Sequence, residues 1–170
     1  QKCIEGRRTG IGITAEGDML AALGFIYGNP DAIDFSVNIQ KTLAIEAYRS
    51  SVVTAGERGP FSVYDTDREK NNPFIQRLKK EDPSLYNEML KNGRRNIALL
   101  TIAPTGTTSM MTQTTSGLEP VFMIAYKRRR KVNPNDKNVK VDFIDQNNDS
   151  WEEYNVFHHK FIVWLKANNY

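Results

Sequence analysis

Seven nearly unbroken apolar residues, Ile97-Ala98-Leu99-Leu100-Thr101-Ile102-Ala103, stop at Pro104. A run of that length ending in proline fits a strand buried on both faces, so any fold of this chain must place it inside. Behind it comes Thr105-Gly106-Thr107-Thr108-Ser109, a loop of glycine and hydroxyl residues. A short helix over 107–112 is expected next, although threonine is a poor helix former. A strand that delivers a hydroxyl-lined turn to a helix N-terminus can hold a phosphate, because free N–H groups and hydroxyls converge there. Gly106 lets the backbone approach a ligand closely. The loop contains no lysine, so it is not the triphosphatase P-loop G-x-x-x-x-G-K-[ST]. Two readings stay open on the pattern alone: a neutral phosphate cradle, and an ordinary strand–turn.

The remaining sequence predicts mostly helix before this stretch and strands after it. At 170 residues the chain is one segment, residues 1–170, with enough apolar material (39%) for a real core. It opens without methionine, on a polar lead-in, and reads as part of a longer protein. Gly10-Ile11-Gly12-Ile13-Thr14-Ala15 spells the dinucleotide fingerprint G-x-G-x-x-A, but Glu5-Gly6-Arg7-Arg8-Thr9 cannot be the buried strand that fingerprint requires. A tight passage into a helix near 15–23, ended by Gly24, is the plainer reading. Asn29-Pro30 starts a long helix running to about Ala55 with Gly56 as its cap. Residues 62–72 read as a loop, and short helices follow at 74–80 and 84–91. Val121 to Tyr126 reads as a second buried strand. Val139, Val141 and Phe143 alternate with polar residues, which predicts a half-buried strand. Ser150 and Glu153 spell a capping box for a last helix carrying Tyr154, Phe157, Phe161 and Leu165 on one face.

Few side chains outside the loop suggest chemistry. One cysteine, Cys3, excludes an internal disulfide framework and makes a reducing, cytoplasmic setting the default. No apolar run approaches the roughly 20 residues of a membrane span. The run Lys127-Arg128-Arg129-Arg130-Lys131 carries much of the positive charge behind a net +3. It could serve a nucleic-acid-binding module, but successive strand residues point to opposite faces and would split the patch. His158 and His159 are neighbours on a helix in this reading and cannot share a metal; one packs inward and the other is solvated. Glu152 and Glu153 are assigned to that helix's N-terminus. No set of residues points to a metal.

Read together, several short motifs carry a family resemblance. Gly6-Arg7-Arg8-Thr9-Gly10-Ile11-Gly12-Ile13, Asp18-Met19-Leu20, Arg95-Asn96, Ile102 to Ser109 and Ser116-Gly117-Leu118-Glu119-Pro120-Val121-Phe122 occur in this order. The combination resembles the catalytic large subunit of ribonucleotide reductase. The Ala-Pro-Thr-Gly-Thr spelling, Tyr126 to Lys131 and Asp149 to Tyr154 look like the adenosylcobalamin-dependent class II enzymes. The resemblance implies an α/β fold, here the helix-rich C-terminal segment of a ten-stranded α/β barrel. It implies radical conversion of ribonucleoside di- or triphosphates to deoxyribonucleotides, with adenosylcobalamin as cofactor and a thioredoxin-like reductant. Pro104, Thr105, Gly106, Thr107 and Thr108 match the loop that holds the substrate's phosphates. Glu119 is expected to brace the adjoining turn. The family's radical cysteine motif has no counterpart here, and Cys3 does not correspond to it. The segment therefore carries no catalytic residue, needs the remainder of its own polypeptide, and is expected to be inactive alone.

Overall fold

Three Asx-Pro pairs start the helices that build the core. The computed structural model describes residues 2–170. Two short helices come first, α1 (Lys2–Gly6) and α2 (Glu16–Ala22). The long α3 (Pro30–Arg58) follows, then α4 (Thr66–Glu69), α5 (Pro73–Glu81) and α6 (Pro83–Asn92). Proline at the first helical position sacrifices no hydrogen bond, because that N–H has no intrahelical partner. Asn72 caps the Phe74 N–H and Asp82 the Leu85 N–H, each at 2.9 Å. α3 runs past its expected end near Ala55, and Gly59, at φ 77°, caps it in place of Gly56. α4 lies inside the expected loop 62–72.

The core is built where these helices cross. Tyr48 and Val52 of α3 meet Ile75 and Leu78 of α5, Leu85, Tyr86 and Met89 of α6, and Leu99. Full burial of a side chain such as Val52 or Leu85 contributes about 1.5–3 kcal/mol. The first half of α3 takes little part: Ile33 and Val37 are 50% and 57% exposed. Arg94 closes the core beside the end of α6. It is buried between the rings of Tyr48 and Phe61, 5.5 and 5.4 Å from its guanidinium carbon. It pairs with Glu69 at 2.7 Å and donates to the carbonyls of Asn96 and Ile97 at 3.1 and 2.8 Å. Those bonds aim the chain into the apolar run.

That run is extended, but it is not the doubly buried strand its sequence predicts. Its one bridge is parallel, between Ile11 and Leu100. The N–H groups of Thr9 and Ile11 donate to the carbonyls of Ala98 and Leu99, and Thr101 N–H returns to Ile11. Leu99 is buried while Ile102 is 64% exposed, because no second strand flanks the run among the described residues. The nearby glycines are explained by this pairing. A Cβ on Gly10 would lie 2.9 Å from Thr101 Cγ2, and one on Gly12 would clash with the Thr101 carbonyl. The G-x-G spelling serves backbone against backbone, not a dinucleotide.

The second half holds α7 (Gly106–Thr112), β1 (Ala125–Lys131), β2 (Phe143–Ile144), β3 (Ser150–Phe157) and α8 (His159–Ala167). The strands form one antiparallel sheet in the order β1-β3-β2. Two expectations fail here. The buried strand over 121–126 is replaced by one that starts at Ala125 and is exposed along its length. The helix expected from Ser150 begins only at His159. Trp151, Tyr154, Val156 and Phe157 favour a pleated surface, and the register sets Glu152 against Arg130 and Glu153 against Arg129. Cross-strand pairing therefore outweighs the capping-box spelling. Of the strand expected around 139–143, only Phe143 and Ile144 pair. The mixed content is that of an α/β chain, and its described strands make an open sheet. No helix among the described residues is long and apolar enough to cross a membrane.

Candidate functional site

The loop after the apolar run turns on Thr105. Its backbone is left-handed, at φ 47° and ψ 29°, an outlying conformation for a β-branched residue that costs on the order of 1–3 kcal/mol. Three hydrogen bonds hold it there. Its carbonyl accepts the Ser109 N–H at 2.8 Å. Its hydroxyl accepts the Gly117 N–H at 2.9 Å and lies 2.8 Å from the Thr14 hydroxyl. Gly117 is itself left-handed at φ 56°, where glycine alone is unstrained.

The start of α2 is bound into the same unit. Thr14 donates to the Thr115 carbonyl at 3.4 Å, and Glu16 N–H to the Gly117 carbonyl at 3.3 Å. Asp18 accepts the Thr115 N–H at 3.1 Å while its own N–H donates to the Thr115 hydroxyl at 3.3 Å. A Cβ on Gly17 would stand 2.5 Å from Pro120 Cα, so α2 rests directly on the second turn. Thr14 and Thr115 were not singled out by the sequence. They lie 101 residues apart, and no local pattern announces such a pairing.

Several donors of the loop stay unpaired. The N–H groups of Gly106, Thr107 and Thr108 have no hydrogen-bond partner among the described residues, and Thr105 makes no side-chain cap. The exposed hydroxyls of Thr107 and Thr108 are also without a partner. A Cβ on Gly106 would meet nothing, so packing does not require glycine there. Pro104 is exposed and borders a cleft of about 430 Å³ shared with Ser109, Thr115, Glu119, Phe122 and His158. Of the five predicted loop residues, three therefore present free N–H groups at α7, while Pro104 and Thr105 shape the approach. Glu119 packs against the turn twice, its carbonyl against Gly17 and its carboxylate against Gly117.

The other polar candidates are absorbed elsewhere. His158 lies 3.5 Å from Asp18, half-buried, and His159 is exposed, the division expected of the pair. Cys3 is exposed on α1. The described residues contain no group of three or more His, Cys, Asp or Glu that could hold a metal. The basic run is largely neutralised from β3 and the turn before it. Lys127 and Arg129 meet Glu153 at 3.4 and 2.7 Å, Arg130 meets Glu152 at 2.9 Å, and Lys131 meets Asp149 at 2.7 Å. Glu152 and Glu153 are thus strand partners of cations, not the helix N-terminal acids their sequence suggests. Among the described residues, Arg128 is the one cation of the run without a carboxylate.

Residues 1–160 match the family described as the ribonucleotide reductase barrel domain. The chain is 32% identical over 122 residues to a vitamin B12-dependent ribonucleoside-diphosphate reductase of Mycobacterium tuberculosis, covering 72% of this chain and 15% of that protein. With a protein of the same name from Thermoplasma acidophilum it shares 30% identity over 123 residues, covering 72% and 14%. With the ribonucleoside-diphosphate reductase subunit alpha of Chlamydia pneumoniae it shares 27% over 135 residues, covering 68% and 13%. The chain thus spans about 15% of the length of the first of these relatives. With nearly all of its residues inside the family match, the chain belongs to the ribonucleotide reductase barrel-domain family.

Proposed function

We propose that this chain supplies the phosphate-holding wall of a ribonucleotide reductase active site. It would form the C-terminal part of a ten-stranded barrel whose other strands belong to the rest of a longer polypeptide. The observation that carries the reading is the set of unpartnered donors at one loop: the N–H groups of Gly106, Thr107 and Thr108 and the hydroxyls of Thr107 and Thr108. Neutral donors at a helix start suit a ribonucleoside di- or triphosphate, whose charge meets aligned N–H dipoles. Holding the phosphates orients the ribose against the radical-bearing residue elsewhere in the enzyme. Orientation of this kind contributes several kcal/mol to catalysis, up to about 7–11 in favourable cases.

The names of the relatives from M. tuberculosis and T. acidophilum support cobalamin dependence for the longer protein. Adenosylcobalamin, when bound, supplies the radical that starts the reaction. No residue of this segment is assigned to holding it. The cofactor is assigned to other parts of the enzyme, as are the redox cysteines and the contact with a thioredoxin-like reductant. The competing reading, a nucleic-acid-binding module built on 127–131, loses its charge to Glu152, Glu153 and Asp149.

Thr107→Val in the whole reductase tests the proposal. Loss of one hydrogen bond to a charged group costs about 1.5–3 kcal/mol, so affinity for a ribonucleoside diphosphate should fall roughly ten- to hundredfold. Cobalamin binding should stay unchanged. Wild-type substrate affinity and turnover in this variant would refute the assignment.

A further inference from the structure

The Thr105 hydroxyl is held from two sides, by Thr14 and by Gly117. Thr14 and Thr105 each carry one hydroxyl proton, and their oxygens are 2.8 Å apart. Either hydroxyl can donate across the Thr14–Thr105 contact, and Thr14 also lies within reach of the Thr115 carbonyl, at 3.4 Å. The Gly117 N–H donates to the Thr105 oxygen at 2.9 Å. The result is a connected set of hydrogen bonds from Gly117 N–H through Thr105 and Thr14 to the Thr115 carbonyl. It begins and ends on the second turn.

We propose that Thr105 is a positioning residue, with Thr14 as its partner. This rests on the reading of the loop as a phosphate holder, and divides its residues into two roles. Gly106, Thr107 and Thr108 face the ligand. Thr105 keeps the chain in the left-handed turn that points their N–H groups at one place. Its backbone conformation is unfavourable for a β-branched residue, so without the two hydroxyl-borne bonds the side chain no longer opposes relaxation of the turn. Thr14, 91 residues away, then governs substrate binding without touching substrate.

The test is a double-mutant cycle in the whole reductase. Thr14→Val, Thr105→Val and the double variant are compared with Thr105→Ser, Thr14→Ser and Thr107→Val. Cytidine diphosphate and cytidine are the probes. Each single valine variant should weaken cytidine diphosphate about tenfold and leave cytidine unaffected. The double variant should be no weaker than either single one, because both break the same chain. Either serine variant, which keeps the proton, should restore affinity to within about twofold. If Thr105→Val does not fold, Thr14→Val and its rescue by Thr14→Ser carry the same comparison. Wild-type diphosphate affinity in Thr14→Val, alongside a loss in Thr107→Val, overturns the positioning role and leaves the loop reading intact. Losses that multiply in the double variant also overturn it. No loss in Thr107→Val overturns the loop reading itself.

Discussion

Replacing Arg94 by methionine is the sharpest probe of how the core holds the site. The guanidinium is 4% exposed at the side chain and its partner Glu69 16%. Removing one member of a buried pair strands the other charge and costs about 3–5 kcal/mol. Two carbonyls, of Asn96 and Ile97, also lose their donor, at about 1 kcal/mol net each. Methionine keeps apolar contact with Tyr48 and Phe61, which offsets part of the lost cation–π attraction. The single variant should therefore lose about 5–7 kcal/mol. The double variant Glu69→Leu/Arg94→Met removes the stranded carboxylate. It should lose only about 1–2 kcal/mol, chiefly through the two carbonyls. The Nε of Arg94 already lacks a hydrogen-bond partner, so an apolar replacement sacrifices nothing there. Urea unfolding followed by far-ultraviolet circular dichroism measures all three differences. A loss below about 1 kcal/mol in the single variant, or a double variant no more stable than the single, would refute this account of the pair.

Two further outcomes follow from local geometry. The Asp82 carboxyl is held down to about 2 from the ordinary 3.8, first by the Leu85 N–H, then by the Ser84 hydroxyl and by Arg49. A depressed carboxylate stabilises the fold above its unfolded value, and that contribution is lost as pH falls from about 4 toward about 2. Asp82→Asn keeps a capping oxygen without the charge, so its melting temperature should fall less than the wild type's across this window. A constant gap between the two proteins would refute the assignment. Gly12→Ala drives a Cβ into the Thr101 carbonyl and should cost about 2–3 kcal/mol, or roughly 5–10 °C in melting temperature. Gly56→Ala, an exposed helical position where the new Cβ lies 3.6 Å from Asn92, should instead be neutral or raise it.

The sequence was most informative where the relevant physics is local. Asn29-Pro30 and Asp82-Pro83 mark helix starts because a proline in the first turn acts locally, and at Asp82 a side-chain acceptor adds a cap to the Leu85 N–H. The short helix after Pro104 was visible despite its threonines. The sequence misled where distant residues decide. Ser150-Trp151-Glu152-Glu153 carries a genuine helix-start spelling, yet Arg129 and Arg130, more than twenty residues away, draw both glutamates into a strand. The apolar run 97–103 looked like a central strand because its letters are apolar on both faces, but they do not say what covers them, and among the described residues no second strand flanks the run. At the candidate site, the letters of 104–108 left both a phosphate cradle and an ordinary turn open, and only the family resemblance chose between them. The distinction between Thr105 and its neighbours depends on Thr14 and Gly117, so it belongs to the fold and not to the loop.

The charges of β1 also govern which strand can pair with it. Its edge opposite β3 has no strand partner among the described residues, and such an edge ordinarily invites a second copy of the same segment. Antiparallel self-pairing centred on Arg129 would place Lys127 against Lys131, Arg128 against Arg130 and Arg129 against itself. Every opposed pair would repel, whereas along β3 four of the five cations have a carboxylate within reach in β3 or the turn before it. The same five residues thus favour the hairpin partner and reject their own kind. That discrimination is strongest in dilute salt, because exposed charges are screened as ionic strength rises.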